Sequence, residues 1–144
     1  MSAHLLARVG TERFAFALAQ VVEALDAPGL HDLPGRPAGM LGTMRHRGRT
    51  VPVWDAESAF GVGREGGEGT ALVFHDGARG VALLVDDAED IVEVADDAVR
   101  AAPAGADGGG LLSGVYKNHG TLVNVVRVNV LVARLVTQGE RSNA

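Results

Sequence analysis

Three stretches of this chain repeat one pattern: a glycine, then a short apolar run. They are Gly48 to Asp55, Gly80 to Asp86 and Gly120 to Val126. Glycine reaches positive φ without steric cost, so each stretch begins where the chain can reverse. Short valine-rich runs between reversals read as strands. Leu5–Val9, Phe14–Leu18, Ala71–Phe74, Val81–Val85, Ile91–Val94 and Leu111–Tyr116 read the same way. Asp76-Gly77 and Asn118-His119-Gly120 mark hairpins. Many short strands broken by turns fit small β-barrels or a sandwich, and strand content alone does not choose between them.

Helices are few. Val21, Val22 and Leu25 can share a helical face, so Gln20 to Leu25 reads as a short helix. Asp55 stands where an N-cap would, with Glu57 in the first turn and Phe60 turned inward. Val128, Leu131, Val132, Leu135 and Val136 follow the i, i+3, i+4, i+7, i+8 spacing of a closing amphipathic helix. Residues 61–69 and 101–110 read as flexible loops, and 138–144 as a frayed tail.

With 47% hydrophobic and 22% charged residues, the 144-residue chain should fold as one globular domain. A net charge of −5 disfavours nucleic acid and anionic membranes as partners. No apolar run is long enough for a membrane helix and no signal peptide is read, so a cytoplasmic location is expected.

Catalytic patterns do not assemble. Without cysteine there is no disulfide, thiolate metal site or thiol nucleophile. Gly61 to Gly66 matches G-x-G-x-x-G, but a short helix precedes it and a strand follows, the reverse of what a dinucleotide site needs. The histidines are scattered without metal-ligand spacing, and no serine sits in a nucleophile elbow. Asp86-Asp87, Glu89-Asp90 and Asp96-Asp97 are adjacent pairs that a strand would point to opposite faces. No catalytic residue, metal site or cofactor is expected. An enzyme with a dispersed site would require a titratable cluster in a deep pocket.

The run Gly39 to Asp55, GMLGTMRHRGRTVPVWD, points to docking instead. It sets an Arg47-Gly48 turn before a strand interrupted by Pro52. Proline cannot donate to a ladder, so the strand should lie at an edge or carry a bulge. Glu23 and Arg47 each sit beside apolar segments, where a charge needs a partner.

This run resembles the signature of CheW-like domains, Gly-Val-x-Asn-Leu-Arg-Gly-x-x-Val-Pro-Val-x-Asp. Gly42, Arg47, Gly48, Val51, Pro52, Val53 and Asp55 occupy matching positions. Val21-Val22-Glu23 resembles the family's Val-x-Glu, Leu33-Pro34-Gly35 its Leu-Pro-Gly loop, and Val85-Asp86 its later Val-Asp. Two departures stand out. Arg45-His46 replaces Asn-Leu, and Val126-Arg127 replaces Leu-Asp before the last helix, where Asn129 is the substitute cap. The resemblance implies a mainly β fold of two small five-stranded SH3-like barrels packed together, with short helices and a C-terminal helix. It implies a non-enzymatic scaffold coupling the cytoplasmic tips of methyl-accepting chemoreceptors to the regulatory domain of a CheA-type histidine kinase. Val22, Glu23, Gly42, Arg45, Arg47 and Gly48 are the expected contact residues at one barrel. Leu84, Val85 and Asp86 are those at the other. No receiver-type phosphorylation site is expected with the domain. The alternative is a divergent module of the same kind that bridges other partners without a kinase.

Overall fold

A computed structural model describes residues 1–142 of the chain. Ten strands form two five-stranded sheets. The strands are β1 (Ser2–Val9), β2 (Glu12–Ala17), β3 (Glu23–Asp26), β4 (Met40–His46), β5 (Arg49–Asp55), β6 (Thr70–Asp76), β7 (Arg79–Val85), β8 (Asp87–Val94), β9 (Leu112–Asn118) and β10 (Thr121–Val126). Two α-helices accompany them, α1 (Ala56–Phe60) and α2 (Val128–Ser142).

The sheets share one topology. One runs β3-β6-β7-β5-β4, the other β8-β1-β2-β10-β9. Each contains one parallel pair, β5 beside β7 and β10 beside β2. The first sheet uses five consecutive strands, whereas the second takes its opening hairpin from the start of the chain and three strands from its end. The turns correspond as well. Gly10-Thr11 and Gly77-Ala78 carry the glycine first, at φ 59° and 61°. Arg47-Gly48 and His119-Gly120 hold all four residues at positive φ, between 50° and 83°, as a type I′ turn requires.

Among the described residues no ladder closes either sheet into a barrel. A single bridge spans each gap instead: His31 to Thr43 in the first sheet, and Arg100 to Val115 in the second. Both bridges are made possible by a neighbouring glycine. A Cβ on Gly42 would stand 2.5 Å from the His31 carbonyl oxygen, and one on Gly114 would stand 2.2 Å from that of Arg100.

Alternation along the strands fills three cores. Leu6, Ala15, Tyr116, Val123 and Val125 pack inside one curled sheet. Met44, Val51, Val53, Val73 and Leu84 pack inside the other. The opposite faces of the same strands meet between the sheets, where Phe14, Phe16, Trp54, Leu72, Phe74, Leu83 and Val85 pack with Leu131 and Leu135 of α2. Strands buried on both faces read as unbroken apolar runs, which explains Val81–Val85. Phe60 of α1 stacks on Phe14 at 4.1 Å between ring centroids. Asp55 caps α1 by accepting from the Glu57 amide, and Gly61 ends it at φ 71°.

Four local expectations change. Gln20–Leu25 is not a helix: a 3₁₀ turn at Leu18–Gln20 leads into β3, whose pairing with β6 outweighs a six-residue helical pattern. β5 lies inside its sheet rather than at the edge. Its pairing with β7 covers only Val53 to Asp55, so Pro52 costs no bond there, and the irregularity falls on β4 between Met40 and Gly42. Asn129 lies within the first turn of α2 rather than capping it, and the Arg127 carbonyl accepts from the Val130 and Leu131 amides. Helix α2 continues beyond Gln138 to Ser142, held where Gly139 approaches Trp54 and Glu140 meets Arg79 at 2.7 Å. The last two residues of the expected tail, Asn143 and Ala144, lie outside the described residues.

Candidate docking surface

β3 and β4 are the two end strands of their sheet, so their side chains face each other across an open seam. Glu23 begins β3, and His46 ends β4. Along β4 the buried positions are Met40, Gly42, Met44 and His46, so His46 points inward while Arg45 and Arg47 point out. His46 Nε2 lies 2.7 Å from Glu23 Oε1. The Arg47 guanidinium lies 3.7 Å from the same oxygen. The pair singled out from the sequence, Glu23 and Arg47, is therefore brought together, but a buried histidine stands nearer to the carboxylate. The alternation of β4 is the sequence signal for this residue, which otherwise stands among histidines scattered without metal-ligand spacing. Arg45 donates to the Gly48 carbonyl at 3.0 Å and steadies the turn.

The remaining expected contact residues divide sharply. Val22 is half-buried and lines a hollow of about 380 Å³ between the 3₁₀ turn and Val128, Val132 and Ala133 of α2. Gly42 serves the seam, as its contact with the His31 carbonyl shows. Leu84 and Val85 are buried in two different cores and offer a partner no side-chain surface.

Asp86 also turns inward, its side chain only 2% exposed. Its carboxylate accepts from the Gly10 amide at 2.7 Å and from the Glu65 and Gly66 amides at 3.0 and 3.3 Å. Arg8 stands 3.8 Å away. Burial works to raise this carboxyl's pKa, but the three backbone donors and Arg8 outweigh it and hold the group below the ordinary carboxylate value. Asp86 thus fastens the G-x-G-x-x-G loop to the first hairpin. The second long loop is fastened too, by Arg134, which donates to the Gly108 and Gly109 carbonyls.

Among the described residues, no three of the histidines and carboxylates gather where they could hold a metal ion. No helix among them is long and apolar enough to cross a membrane.

A family model described as the CheW-like domain matches residues 3–136. The chain belongs to the CheW-like family. CheW-like domains are scaffolds of chemotaxis signalling rather than enzymes. A solved structure similar to this CheW-like chain is the scaffolding protein TtCheW from Thermoanaerobacter tengcongensis, at 16% identity and a TM-score of 0.78. That match covers 88% of this chain and 84% of TtCheW, and it supports the fold of two five-stranded sheets. A search of the curated proteins finds no match.

Proposed function

We propose that this CheW-like domain couples the cytoplasmic tips of chemoreceptors to the regulatory domain of a CheA-type histidine kinase. The observation that carries this reading is the clasp of Glu23, His46 and Arg47. It locks a β-hairpin end into a fixed shape, yet it leaves Arg47 65% and Glu23 39% exposed. A pre-shaped hairpin with a projecting arginine loses little freedom on binding, which suits reversible assembly. The Val22 hollow beside α2 is the second contact region in this reading, sized for side chains of a partner helix.

A calorimetric titration against the regulatory domain of the cognate kinase tests it. Micromolar binding is expected, with Arg47→Ala weakening it about fivefold, the scale of one exposed charge at an interface. Val22→Glu should impair receptor-tip binding and leave kinase binding in place. If no kinase domain binds while the receptor tip still does, the domain is a kinase-independent bridge instead. If neither binds, the adaptor reading fails.

A further inference from the structure

A larger groove, of about 680 Å³, adjoins the hairpin that carries the clasp, taking Arg45 and Gly48 into its wall, and shares no lining residue with the Val22 hollow. Its walls are the loop around Pro34, the outer faces of β4, β5 and β7, and the last turns of α2. Its floor is apolar, made by Met40, Pro52, Trp54, Val81 and Leu135. Leu33, one of few large apolar side chains left exposed, stands at its edge at 41%.

Its charge is unlike that of the molecule. The chain carries −5 overall, yet four arginines, Arg36, Arg45, Arg49 and Arg79, line this groove against one carboxylate, Glu140. Arg36 is paired with Asp32, and Arg79 with Asp76 and Glu140. Arg45 and Arg49 are different. Each donates to a backbone carbonyl, of Gly48 and Ala78, and among the described residues neither meets a carboxylate. The Trp54 indole N–H in the floor is buried and finds no acceptor.

From this we infer that the groove is a second docking surface, for an amphipathic segment of a partner protein with an apolar face flanked by acidic side chains. The apolar floor fits the face, and the two uncompensated arginines fit carboxylates on its flanks. The cations come from the loop at Arg36, the β4–β5 hairpin at Arg45 and Arg49, and β7 at Arg79, so positive charge follows the rim over three segments. That spacing suits carboxylates along a peptide better than one phosphate group. The surface shares Arg45 and Gly48 with the clasp hairpin but excludes Val22, Glu23, His46 and Arg47, and the inference does not depend on the adaptor reading.

Trp54 is the only tryptophan of the chain, so its fluorescence reports occupancy directly. The probe is a synthetic amphipathic helical peptide with a leucine face flanked by glutamates. Controls are the same peptide with lysines for glutamates, and inorganic phosphate alone. Saturable binding of the glutamate peptide is expected, weakening as salt rises. Arg45→Glu combined with Arg49→Glu should weaken it about tenfold, as reversal of two exposed charges does. Thermal unfolding of the double variant establishes that it is folded. Equal binding of both peptides, unchanged affinity in the folded double variant, a matching response to phosphate alone, or no response to the glutamate peptide overturns the inference. The kinase titration is decided separately, by Arg47 and Val22, which lie outside the lining of this groove.

Discussion

Asp86 gathers three backbone donors from two loops, so its charge has a structural rather than an interfacial task. Asp86→Asn puts an amide where acceptors are needed and should cost about 2–3 kcal/mol, the worth of hydrogen bonds to a charged group. The pH dependence follows from the depressed pKa. Stability from this site is complete above the unfolded-state value of about 3.9 and is lost as pH falls through the lower folded value. Denaturant midpoints measured through acid should therefore fall more steeply for the parent than for Asp86→Asn. Glycines permit a sharper comparison. Gly48 has a positive φ but nothing within 4 Å of an added Cβ, whereas Gly42 has both a positive φ and the His31 carbonyl at 2.5 Å. Gly48→Ala should cost about 1 kcal/mol and Gly42→Ala about 2–3 kcal/mol more, read from thermal unfolding. Sequence marked both glycines as notable, but it could not separate a turn from a close approach. That distinction depends on a carbonyl eleven residues away in the chain, at His31.

Strands proved readable where a turn residue and an apolar run coincide. Gly48 before β5, Asp76-Gly77 before β7 and Asn118-His119-Gly120 before β10 all mark true hairpins. β3 was not readable, because a four-residue strand has too few positions to display a period and is fixed by its partner β6. β7 misled in another way. The resemblance implied partner contacts at Leu84 and Val85, yet β7 lies at the centre of its sheet with a core on each face. Val85→Glu should therefore abolish folding rather than probe an interface, since it buries a charge with no partner. Loss of the native circular dichroism spectrum is the expected result. Leu84→Ala, which removes volume only, should leave a folded protein destabilised by about 2–5 kcal/mol.

The whole molecule is organised by the core between the sheets. Phe14 and Phe16 come from one sheet, Trp54 and Phe74 from the other, and α2 packs against both. Neither sheet can lose its partner without exposing these aromatic side chains to water, so the two should unfold together. Trp54 fluorescence, which reads one sheet, and far-ultraviolet dichroism, which reads both, should give coincident denaturation curves. Separate transitions would mean that each sheet is stable alone. The shared topology has a further consequence during synthesis. Residues 23–85 supply one sheet from a single contiguous stretch, but the first hairpin, with Phe14 and Phe16, lacks its two flanking strands until β8 and β10 have been made. On the ribosome, the middle of the chain can acquire its pairing while the beginning waits. Proteolysis of stalled nascent chains should then show protection spreading from the middle outward, with the amino-terminal hairpin secured last.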